Sequence, residues 1–291
     1  MADTDWLEIT KRNARSVQTT VGWIFWEPGA LERLQALGLP APLAYIAGRA
    51  APLGGAGASA VIAAFGSISP FGIRLAFDHV AKSTTFAAAW HARDEAVVEG
   101  LHAHAPDIVD PLVRLGPRLW TIVEQLPAIG RVFFAAHLDM PRPQDPLLSG
   151  WHAVNCLREW RGDTHWALVA AAGLDGVEAS IVHNAWLGYE PDWLARSRGS
   201  TDSNIAAALA TLEAKGLARS GEATAAAIEL RQRIEDDTDR LTTRPWQLLG
   251  EADSIAFAEE LEPPCRQLLA RVDLTAGTNY QPASRIRTPK P

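Results

Sequence analysis

The stretch Trp151 to Ala179, WHAVNCLREWRGDTHWALVAAAGLDGVEA, gathers more reactive side chains than any other part of the chain. At helical spacing His152 and Cys156 stand i to i+4, and Asn155 and Arg158 stand i to i+3, so one helix face can collect an imidazole and a guanidinium. Arg161, Asp163 and His165 follow around Gly162, which reads as a helix break. A carboxylate that orients a histidine is the arrangement general acid–base chemistry needs, which makes Asp163 and His165 the catalytic candidates if the protein is an enzyme. An aspartate capping a helix with an arginine paired to it explains the same residues structurally. Arg49, Arg131, His152, Arg158 and Arg161, in a chain holding 11 tryptophans, also suit a pocket for an anionic, partly apolar or aromatic small molecule.

The elements that must position these groups are helices. Apolar residues recur at helical spacing through most of the sequence, and strand signals are scarce. Ser69 before Pro70 reads as a helix start, and helices are expected over residues 84–103, 109–126, 131–138 and 145–160, separated by Pro106, Pro127, Gly130 and the run from Pro141 to Pro146. The expected fold is mainly α: an N-terminal multi-helix, ligand-binding domain over 1–165, a winged helix-turn-helix with C-terminal helices over 166–274, and a flexible tail over 275–291. Within the second unit the order is helix (175–187), helix (191–198), helix (202–215), a short glycine-bounded wing, and a long charged helix (223–241).

With 47% hydrophobic and 21% charged residues in 291, the chain is a core-former rather than a disordered one. A net charge of -7 argues against a protein whose main work is coating nucleic acid. Cys156 and Cys265 have no paired spacing, which fits two ordinary thiols in a reduced cytoplasm. His102 and His104 lack a partner at ligand spacing, so no metal site is expected; a haem ligand has no support and the cofactor is unknown. The N-terminus has no apolar leader, and residues 56–65 are too short to cross a bilayer, so a cytoplasmic protein with no membrane role is expected.

The octet Leu212 to Arg219, LEAKGLAR, resembles the junction of MarR-type regulators in which the recognition helix ends at glycine and turns into a wing. The segment ATAAAIELRQRIEDDTDRL that follows resembles their post-wing helix. More widely, GRAAPLGG (48–55), the Ser69-Pro70 start, GRVFFAAH (130–137) and LREWRGDTH (157–165) resemble an actinobacterial MarR-like helix-turn-helix family of mostly unassigned function, whose members show a histidine where this chain has Trp160. That resemblance implies a homodimer, DNA and a small-molecule ligand as partners, and a ligand-responsive transcriptional regulator. The DNA-facing residues would be Arg198, Ser203, Asn204, Lys215 and Arg219. The recognition helix offers Ala206, Ala207 and Ala210 outward, so the alternative is an enzyme or ligand-binding protein on the same scaffold that leaves DNA alone, with its site around 158–165.

Overall fold

The computed structural model describes residues 4–286. In chain order the helices are α1 Trp6–Gly22, α2 Pro28–Ala36, α3 Ala41–Ala50, α4 Ala58–Phe65, α5 Pro70–Ser83, α6 Phe86–His104, α7 Val109–Val123 and α8 Val132–Leu138. They continue with α9 Pro146–Ala171, α10 Gly176–Leu187, α11 Trp193–Ser197 and α12 Asp202–Ala214. A two-residue antiparallel ribbon, β1 Ala218–Arg219 with β2 Glu222–Ala223, precedes α13 Ala225–Leu241, α14 Arg244–Leu249 and α15 Glu251–Thr275. The fold is mainly α, as expected. Among the described residues, no helix is long and apolar enough to cross a membrane.

Helix α9 organises the molecule. Asp145 caps its start by accepting from Leu148 N at 2.8 Å, and the helix then runs unbroken past Gly162 to Ala171. The expected break at 161–165 is absent: Gly162 loses some helix propensity, but packing on both sides outweighs about 1 kcal/mol. Consequently residue 165 is not a joint, and α9 serves two cores. Trp151, Leu157 and Trp160 lie in the body core with α1, α7 and α15, while Val169 joins the second core around Val182, Ile205, Leu212 and Ile234.

The C-terminal helices belong to the body, not to the helix-turn-helix. Trp246, Leu249, Phe257, Leu261 and Leu268 of α14 and α15 sit in the body core. The chain therefore leaves the body through α9 and returns to it after α13. The tail expected to be mobile from 275 is described to Ile286, and over that length it docks. Gln281 donates to Gly22 O at 2.8 Å, Arg285 pairs with Asp273, and Tyr280 packs on Trp26 with ring centroids 4.3 Å apart.

The helix-turn-helix is built by local chemistry that is legible in sequence. Asp175 and Glu178 form a capping box at the start of α10, and Thr201 and Asn204 form another at α12. Gly188 at φ +71° closes α10 in the left-handed region where glycine carries no Cβ penalty. The unit is seated tightly: a Cβ on Gly176 would meet Gly66 O at 2.1 Å, and Ser69 N donates to Arg198 O at 2.9 Å.

Candidate functional site

Between the body and the helix-turn-helix lies a cavity of ≈ 1200 Å³, large for a small-molecule site. The body contributes Tyr45 and Arg49 from α3, and Arg158, Glu159, Arg161 and His165 from α9. The helix-turn-helix contributes His183 and Trp186 of α10, Arg198 after α11, and Arg231, Glu235 and Asp239 of α13. Trp26, Trp193 and Tyr280 close an aromatic wall; Trp26 stacks on Tyr45 at 15° between planes, and Tyr280 meets Trp193 edge-on.

Two ion clusters line the inner wall. In one, Arg49 donates to Glu159 at 3.0 Å and to Tyr45 Oη at 3.0 Å, while Arg158 pairs with the other Glu159 oxygen. Burial would raise the Glu159 carboxyl, but Arg158 and Arg49 outweigh it and hold it down at about 2. In the other, Arg161 donates to Glu235 and Asp239, both at 2.7 Å, and Arg231 pairs with Glu235 at 2.7 Å. Residues 231, 235 and 239 stand one turn apart on α13, so a single face of that helix meets α9.

Asp163 and His165 do not meet. Two residues apart on one helix, they point to different neighbours: Asp163 Oδ2 accepts from Phe134 N at 2.9 Å and caps α8, and His165 Nδ1 lies 3.2 Å from Thr238 Oγ1. The Thr238 hydroxyl donates its only proton to Ile234 O at 2.6 Å, so His165 Nδ1 must be the donor and Nε2 carries a free lone pair. Burial, then the charge of Arg231, pushes the His165 imidazole down to about 3, which leaves it neutral and a feeble base. Arg161, expected beside Asp163, is taken by α13.

His152 and Arg131 are not in the cavity wall. His152 is buried against Asp94 at 2.9 Å, in a cluster where Arg93 also reaches Asp94 and lies 3.5 Å over the Trp90 ring. Arg131 donates to Thr164 Oγ1 at 3.0 Å and stacks on Trp160. Trp160 itself is buried in the body core and donates to Pro127 O at 3.1 Å.

The residues expected to face DNA divide. Ser203 and Arg219 are exposed, and Asn204 is exposed but its side-chain oxygen is engaged by Thr201. Lys215 is anchored, its Nζ 2.8 Å from buried Glu178 and 2.7 Å from Gly173 O. Arg198 turns inward, donating to Ser180 Oγ at 3.0 Å. Burial, then the positive charge of Arg231 and Arg49, pulls its guanidinium down to about 10. Sequence reading missed Glu159, His183, Arg231, Glu235 and Asp239 as site residues; the one-turn spacing of Arg231, Glu235 and Asp239 in a helix otherwise read as long and charged was the available signal.

The fold and this site define a helical body that carries a helix-turn-helix, with a cavity lined by ion pairs and aromatic rings at the joint. A family model described as a helix-turn-helix family matches residues 10–275, so the chain belongs to that family. No curated protein and no solved structure matches.

Proposed function

We propose that this protein is a receptor for a small anionic molecule with an apolar or aromatic part, and that binding at the joint controls a MarR-like winged helix-turn-helix, making it a ligand-responsive regulator. The observation that carries the reading is the charge imbalance of the cavity. Arg49, Arg158, Arg161, Arg198 and Arg231 line the cavity with the unexposed carboxylates Glu159, Glu235 and Asp239 and the exposed Asp236, and Arg198 pairs with no carboxylate among the described residues. Cations kept out of water without partners are costly, and an anion relieves that cost. Coupling has a route: the Arg198 carbonyl holds Ser69, its side chain faces the cavity, and three residues later Thr201 caps α12.

Native mass spectrometry of the purified protein tests the reading, with bound anion expected on a homodimer. A ligand-free protein that no organic acid stabilises against heat would sink it.

A second reading, a ligand-binding protein that leaves DNA alone, is favoured by the internal use of Lys215 and Arg198. Mobility shift at low salt with its own upstream DNA decides between them; no retardation selects the second.

A further inference from the structure

Arg231 is 6% exposed, and two of its nitrogens, Nε and Nη1, are buried with no hydrogen-bond partner. Its third nitrogen is committed, to Glu235 at 2.7 Å and towards His183 Nε2 at 3.5 Å, and its plane lies 4.6 Å over Trp186. Nε of Arg49 and Nε of Arg161 are likewise buried and unpartnered in the same cavity wall. Buried donors left unmade cost free energy, so this many on one wall point to an acceptor that belongs there.

The number and origin of the donors restrict that acceptor. A carboxylate offers two oxygens in one plane and one charge. Here these five arginines outnumber the unexposed lining carboxylates Glu159, Glu235 and Asp239 by two, and the open donors come from α3, α9 and α13, with Arg198 joining from the turn before α12. A phosphate monoester carries close to two negative charges near neutrality and three terminal oxygens spread in space, and guanidinium groups bind it through paired N–H bonds. His165, neutral with a free Nε2 lone pair, adds an acceptor for a hydroxyl or a remaining phosphate proton. Trp26, Tyr45, Trp193 and Tyr280 line the same cavity and suit a flat ring.

We infer that Arg49, Arg198 and Arg231 form one clamp for the phosphate of a phosphate monoester bearing a planar ring, assembled only when the helix-turn-helix is seated on the body. This deepens the receptor reading and rests on it. Its regulatory content is that the ligand ties α3 of the body to the residues on either side of α12, so occupancy stiffens the seat of the recognition helix.

The test is calorimetric titration of the full chain with phenyl phosphate, benzoate, phenol and inorganic phosphate. Phenyl phosphate is expected to bind at least tenfold more tightly than benzoate, and phenol not measurably. Arg198→Gln and Arg231→Gln should each weaken phenyl phosphate at least tenfold, whereas Arg219→Gln on the ribbon should not change it; thermal melts of each variant establish that it folds. If Arg231→Gln fails to fold, Arg198→Gln alone decides, because among the described residues Ser180 is the only side chain its guanidinium bonds. Benzoate binding as tightly as phenyl phosphate overturns the dianion clamp and leaves the receptor reading standing. Phenyl phosphate binding that is indifferent to Arg198→Gln overturns the clamp, and no binding by any of the four probes overturns it too. An anion without phosphorus found by native mass spectrometry would remove the clamp while preserving the receptor.

Discussion

Asp163 and the buried histidines pull the protein's acid response in opposite directions. Burial holds the Asp163 carboxyl up at about 6, against an ordinary 3.8, so its protonation favours the folded state. The stability it contributes is complete below pH 3.8 and is lost as pH rises through about 6. Asp163→Asn keeps an acceptor for Phe134 N but cannot titrate. Relative to the wild type it should gain stability on going from pH 4 to 7.5, by up to about 3 kcal/mol; urea unfolding giving the same difference at both pH values would refute the assignment. Burial pushes His137 down to about 4 and His165 to about 3, with His183 also well below 6.5. A depressed histidine contributes stability above about 6.5 that is lost as pH falls, at about 1.4 kcal/mol per pH unit for each proton. The unfolding midpoint should therefore drop between pH 7 and 5, and His165→Gln should make that drop shallower by about one proton. A wild-type midpoint that holds steady or rises over that range would contradict the burial of these rings.

At the scale of elements, two glycines do different work. Helices α7 and α9 cross so closely that a Cβ on Gly150 would meet Leu112 O at 2.2 Å, both atoms being on rigid helical backbone. Gly150→Ala should destabilise the whole body by about 3 kcal/mol, seen as a lower melting temperature. Gly176, at the start of α10, meets the Gly66 turn instead and so holds the helix-turn-helix to the body. Gly176→Ala should raise hydrogen exchange across α10 to α12 while α7 and α9 stay protected; loss of protection throughout would mean that the two units do not open separately.

For the whole molecule, the question is how much cation remains for DNA once the joint has taken its share. Arg196 is paired with Asp202, Lys215 with Glu178, and Arg198 faces inward, which leaves Arg219 as the cation on the ribbon. Any DNA complex should therefore be weak and shallow in its salt dependence. In mobility-shift titrations Arg219→Ala should reduce the slope of log affinity against log salt by about 1, and an unchanged slope would place the DNA contact elsewhere. Because coupling is reciprocal, a ligand that seats α12 must bind more tightly in the presence of DNA by the same factor by which it strengthens DNA binding.

What the sequence determined by itself is local. Helical periodicity, the Asp175 and Thr201 caps and the glycine after α12 act over a few residues, so the mainly α fold and the order of α10 to α13 could be read directly. What only the tertiary structure decided is where the polar faces go. Arg49 finds Glu159 110 residues away, and Arg161 finds Asp239 78 residues away. No spacing rule reaches across such distances, because the pairing depends on which helices pack. The same reason explains why Asp163 caps α8 instead of serving His165, why Arg198 and Lys215, expected to face DNA, turn to internal partners, and why α14 and α15 return to the body. The reactive stretch around Arg158 to His165 does border the cavity, but Arg231, Glu235 and Asp239 of its wall come from α13, a helix that read as merely charged.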